Sequence, residues 1–165
     1  MLKNKLPNIQ AILGQDALIE NIQIKLEEVQ ELAVNLGIKD IFRNKKFIEV
    51  AAAHRLGHRW SDKPYGADAY EEVKGITYPT EYKSAKVGGT FQFHWLSVTK
   101  MKKIQECKNI YFLVTEGVRI IEIYKLPTSK ILLLIAEKAS GGKSINGHKS
   151  FGLPQLITLG AERVG

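Results

Sequence analysis

Asp68, Glu81 and Lys83 are spaced so that two carboxylates and an amine can meet at one place. Side chains alternate faces along a strand, so Glu81 and Lys83 project together while Tyr82 faces the other way. The stretch Glu71-Glu72-Val73-Lys74-Gly75-Ile76 reads as a hairpin turn in which Gly75 takes a positive φ, returning the chain so that Glu81 comes beside Asp68. Two carboxylates that close ionise together only with a cation between them, and a hard oxygen set with open water positions favours Mg²⁺ over zinc. A lysine beside them can orient or deprotonate water. The chemistry open to such a set is metal-assisted cleavage of a phosphodiester. Glu-x-Lys also occurs on ordinary solvated strands, so these three residues alone fit a bland surface as well.

Composition narrows the choice. A chain of 165 residues with 44% hydrophobic content fits one domain able to bury roughly two-thirds of its unfolded surface. A formal net charge of +7 and a sequence pI near 9.4 suit a polyanionic partner, because lysines and arginines set against phosphates release condensed counterions. The single cysteine, Cys107, cannot form an internal bridge, and with no secretory leader evident a reducing cytoplasm is the expected location. No apolar run is long enough to span a membrane, so no membrane partner is expected.

The elements that must hold the three residues follow from periodicity. From Asp16, a plausible N-cap, Ile19, Ile22, Leu26, Val29, Leu32 and Leu36 repeat at three and four up to Gly37, which predicts an amphipathic helix packed on the core. A second helix is expected from about Phe47 to Leu56, stopping at Gly57, and a third, lysine-rich one from about Ser97 to Glu106. Ile110 to Val114 is a continuous β-prone run, and Glu116-Gly117 separates it from a partner strand, Val118 to Tyr124. Lys130 to Lys138 fits helix or buried strand, with Pro127 and Thr128 favouring a helix start. The expected fold class is α/β: a mixed central β-sheet flanked by helices, with the acids at strand ends.

Together these residues exceed a generic signature. Leu36-Gly37-Ile38-Lys39-Asp40-Ile41-Phe42, Asp68, Glu81-Tyr82-Lys83-Ser84, the segment at His94, Gly117 to Leu126 with Ile121-Glu122-Ile123-Tyr124-Lys125-Leu126, and Gly147-His148-Lys149 follow in order along most of the chain. In that order they resemble the PvuII-type restriction endonucleases of the PD-(D/E)xK nuclease superfamily. The resemblance implies a restriction-endonuclease-like core over residues 1–165 as a single nuclease domain, with 1–43 helping a homodimer form and 44–165 carrying catalysis and DNA recognition. It implies Asp68 and Glu81 as metal-binding acids, Lys83 beside the attacking water, Mg²⁺ as cofactor, and products with 5′-phosphate ends. Where such enzymes carry a further acid three residues before the Asp, this chain has Tyr65, and Glu49 on the preceding helix is the candidate replacement. The implied activity is that of a type II endonuclease cutting double-stranded DNA at a short, palindromic site, with a cognate DNA methyltransferase in the host. A structure-specific repair nuclease of the resolvase kind and a catalytically inactive DNA-binding module are the alternatives.

Gln92 and His94 alternate with Phe91, Phe93 and Trp95, so an extended segment would show one polar and one core-facing side. The resemblance places it in the major groove, where Gln92 and His94 would meet base edges. The glycine-rich tail Gly141 to Lys149 suits close approach of backbone amides and of Lys143 and Lys149 to phosphates, with Asn146 on a base and His148 a further DNA-contact candidate; a flexible surface loop is the alternative. Lys86 completes the candidate DNA contacts. Gly142-Lys143-Ser144 is not a phosphate loop, because Glu137 stands where the pattern needs glycine. His54 and His58 lie four apart with no further ligands to complete a zinc site, which leaves them surface or phosphate-facing roles. Cys107 lacks a histidine partner and is expected to be a small, semi-buried residue.

Overall fold

The computed structural model describes residues 9–63, 66–94, 96–140 and 148–165. The chain forms two compact units, Met1–Lys46 and Phe47–Gly165.

The first unit is built on α1 (Ile9–Asn35). Asp16 is not its N-cap: the helix begins earlier and runs through both Gly14 and Asp16, whose weak propensities do not interrupt the backbone ladder. At its end Ile38 N–H donates to the Ala33 carbonyl at 2.9 Å and Gly37 N–H to the Val34 carbonyl at 2.8 Å, a paired closure of the last turn. The Gln30 side chain then ties the returning chain down, donating to the Lys39 carbonyl and accepting from Ile41 N–H. Within this unit the apolar stripe is not packed: Ile19, Ile22, Leu26, Val29, Leu32 and Leu36 are all exposed. Periodicity reveals that a face is apolar and says nothing about what covers it.

The second unit is ordered α2 (Lys46–Leu56), β1 (Arg59–Trp60), β2 (Ala69–Val73), β3 (Ile76–Lys86), β4 (Thr90–Phe93), α3 (Val98–Glu106), β5 (Asn109–Glu116), β6 (Arg119–Pro127), α4 (Thr128–Ser140), β7 (Lys149–Gly152), α5 (Leu153–Thr158) and β8 (Glu162–Arg163). Six strands form one sheet in the order β1-β2-β3-β5-β6-β8. Its centre is the parallel pair β3 and β5, and every other neighbouring pair is antiparallel. Parallel neighbours need a long crossover, and α3 lies within it. β4 and β7 form a separate antiparallel pair.

Burial on both faces explains the near-continuous apolar run of β5. Ile110, Phe112 and Val114 face a core shared with Ile104 of α3, Ile131, Leu134 and Ile135 of α4, and Phe91, Phe93 and Phe151 of the small sheet. Tyr111 and Leu113 face the other way, onto Ile48, Ala52 and Ala53 of α2. The result is a mixed α/β architecture with a mixed central sheet flanked by helices. The turn between β5 and β6 is Gly117-Val118, one residue later than expected, because Glu116 still pairs with Arg119. The ambiguous segment is helical, as α4.

Phe112 is fully buried at the centre of the sheet, with the rings of Phe91 and Phe93 edge-on to it at 5.1 and 6.5 Å. Phe112→Ala should lower stability by about 3–5 kcal/mol in a urea titration, mostly through the cavity it leaves. A loss below about 1 kcal/mol would show that this ring cluster does not hold β4 onto the sheet.

Candidate active site

The site begins with a turn. β2 and β3 are joined by Lys74-Gly75, both at positive φ (53° and 78°), the geometry that matches the twist of a two-residue hairpin. Gly75 takes the expected positive φ, but the turn is shorter than Glu71 to Ile76. Glu71 and Glu72 lie in β2, paired with Tyr78 and Thr77. From Val73 opposite Ile76 the register runs to Ala69 opposite Thr80, and one residue further on each side stand Asp68 and Glu81. Asp68 N–H donates to the Thr80 carbonyl at 3.1 Å. The Asp68 carboxylate in turn accepts from Tyr82 N–H at 2.7 Å. Tyr82 lies between Glu81 and Lys83 in β3, so this bond seats Asp68 against the strand that carries the other two groups.

Lys83 Nζ donates directly to Glu81 Oε1, and it also lies 5.1 Å from the centre of the Phe93 ring. Both Glu81 and Lys83 are half-buried. Burial pushes the Asp68 carboxyl up to about 7, the charges of Glu81 and then Glu49 push the same way, and the Tyr82 N–H and Lys83 oppose them. Glu49, in the first turn of α2, therefore acts electrostatically on the same carboxyl.

Asp68 and Glu81 line a cleft of about 730 Å³ together with Lys63, Lys100, Lys103 and Cys107. The donor set fits a hard divalent cation: burial and the neighbouring Glu81 charge raise the proton affinity of Asp68 in a half-dry cleft, and a cation would relieve that repulsion. Among the described residues no group of three His, Cys, Asp or Glu side chains is placed to hold an ion. Mg²⁺ is commonly held by one or two carboxylates and keeps several waters.

The other candidates fall in different places. Gln92 and His94 are exposed while Phe91 and Phe93 are buried, so the expected alternation is present. His148 joins His94, with the two Nδ1 atoms 2.8 Å apart. Lys149 is not in a surface loop: it opens β7 opposite Phe93 and is only 8% exposed. Lys86 is exposed at the end of β3, three positions from Lys83 and so on the opposite face by alternation. Lys143, Asn146, Trp95 and Tyr65 lie outside the described residues.

His58 has neither of its expected roles. Gly57, at φ 68°, turns the chain out of α2, and His58 packs edge-on to Tyr111 with Nδ1 2.8 Å from the Tyr82 hydroxyl. Burial lowers its pKa, partly offset by Glu71. Cys107 is buried and its thiol is pushed up to about 12, first by burial and then by Glu81 and Asp68, so it is a poor nucleophile.

Two groups escape sequence reasoning. Glu71 is buried behind the site and accepts from Asn109 Nδ2 and from the Tyr111 hydroxyl at 2.8 Å. Lys100 enters the cleft from α3, and nothing in the run Lys100, Lys102, Lys103 distinguishes it locally.

Asp68 has a pH-dependent cost. Its folded pKa of about 7 lies above the unfolded value of about 3.9, so between those values the unfolded chain gives up a proton that the folded one keeps. Stability contributed here falls as pH rises through that window and levels off above it. Asp68→Asn keeps an oxygen for Tyr82 N–H, so at pH 8 it should be more stable than the parent by about 1–3 kcal/mol, with the gain vanishing toward pH 4. A variant less stable than the parent at pH 8 would show that the Asp68 charge is not under that penalty. No protein-family model matches this chain and no curated protein matches it, so what the site does has to follow from its own geometry.

Proposed function

We propose that the chain is a Mg²⁺-dependent type II restriction endonuclease on a restriction-endonuclease-like PD-(D/E)xK core. The observation that carries this is the bond from Tyr82 N–H to the Asp68 carboxylate, which seats Asp68, just before β2, against Glu81 and Lys83 in the middle of β3 rather than at its end. The order of α2, the β2–β3 hairpin, α3 and parallel β5 supports the same core.

A divalent cation held by Asp68 and Glu81 would neutralise the scissile phosphate and acidify the attacking water. Lys83, in contact with Glu81 and backed by the Phe93 ring, orients that water through its N–H donors. Buried Phe91 and Phe93 anchor β4 so that Gln92 and His94 are offered outward to base edges. The exposed apolar stripe of α1 is a face that a second copy would cover, and a two-fold dimer would cut both strands of a palindromic duplex. Such cutting leaves 5′-phosphate ends, and a cognate methyltransferase would protect host DNA.

Plasmid DNA carrying many sequences should be cut into discrete fragments only with Mg²⁺, and the sequenced ends should share one site. Asp68→Ala and Glu81→Ala should abolish cutting while duplex binding stays measurable, and Lys83→Ala should slow single-turnover cleavage by about 10²–10⁴-fold. Mg²⁺-dependent cutting retained by both acid variants would overturn the assignment. Nicking confined to branched DNA would move it to a structure-specific nuclease.

A further inference from the structure

Lys100 is an ammonium group of the cleft that the proposed chemistry leaves without a task. Its place is fixed at both ends. The Ser97 hydroxyl caps α3 by accepting from Lys100 N–H at 3.2 Å, and Lys100 Nζ donates to the His94 carbonyl at 2.9 Å. That carbonyl occupies one of three N–H donors and leaves the positive charge intact. Lys83, by contrast, is held in an ion pair with Glu81. Burial lowers the Lys100 pKa and Lys83 adds to the effect, while Glu81 and Asp68 oppose it, so both ammonium groups and both carboxylates share one electrostatic environment. A half-buried, pre-positioned cation with donors to spare suits a tetrahedral oxyanion, and its neighbours in the cleft are the acids proposed to act on one.

We propose that Lys100 holds a backbone phosphate of the nucleic-acid strand seated in the cleft and, through the His94 carbonyl, ties that phosphate to the end of β4 that presents His94. The assignment rests on the nuclease proposal for the identity of the ligand. Lys100 is thus a positioning residue: it does not touch the attacking water, and it sets where the strand lies relative to Asp68 and Glu81.

The test measures binding of the full chain to short duplex DNA of random sequence, without divalent metal, across a salt series, with single-turnover cleavage in Mg²⁺ alongside. The proteins compared are the parent, Lys100→Met and Lys100→Arg. Lys100→Met should flatten the dependence of log affinity on log salt by about 0.9, the slope that one neutralised phosphate of B-DNA supplies, and weaken all sequences alike, whereas Lys100→Arg should restore the slope. An unchanged slope in Lys100→Met would overturn the phosphate contact, even if cleavage or melting temperature fell, because a merely structural pin has no counterion signature. A slope change in a parent protein that binds but never cuts would sustain the phosphate contact while the nuclease proposal fails. A parent that does not bind DNA would end both.

Discussion

In an antiparallel pair closed by a two-residue turn, the partner of every residue is set once the turn is set. Lys74 and Gly75 make that choice here, and the pairing of β2 with β3 carries it to the far end of the hairpin. There Asp68 comes level with Glu81, and Tyr82 N–H is left pointing at a carboxylate rather than at a strand carbonyl. A hydrogen bond to a charged acceptor is stronger than one between neutral groups. It opposes the burial and like-charge repulsion that push the Asp68 pKa upward without cancelling them.

The same alternation keeps two polar systems apart. Glu81 lines the cleft with Lys83 bonded to it on the same face of β3, whereas Tyr82 faces a packed set in which Tyr111 donates to Glu71 and His58 meets the Tyr82 hydroxyl. A buried carboxylate is tolerable when donors surround it, and Glu71 has the Asn109 amide and the Tyr111 hydroxyl. This satisfied network is the floor under β3. In the charged network above it, burial and the charge of Glu81 raise the Asp68 pKa against the Tyr82 N–H and Lys83.

Much of this is legible in the sequence because it depends on short-range periodicity. The shared face of Glu81 and Lys83, the inward Phe91 and Phe93, and the buried run of β5 all follow from a period of two. Gly57 and Gly75 mark real turns because both need positive φ. What escapes depends on neighbours distant in sequence. Glu71 reads as a turn residue because its partners, Asn109 and Tyr111, lie 38 and 40 residues away. Lys149 reads as a loop residue because its pairing with Phe93 is more remote still. The stripe on α1 reads as core because amphipathicity does not name the surface opposite.

The crossover between β3 and β5 has a consequence for the order of assembly. β3 and β5 are the parallel pair, and α3, which lies in the connection between them, forms a wall of the cleft. The hairpin can close locally and bring Asp68 to Glu81, but the cleft has no such local route: it requires the long loop from β3 to β5 to be closed first, the slow kind of step in folding. A chain caught midway would hold its acids together on an open strand with no pocket around them. The cleft is therefore complete only once the central sheet is paired, so its walls depend on a non-local contact that the hairpin by itself does not supply.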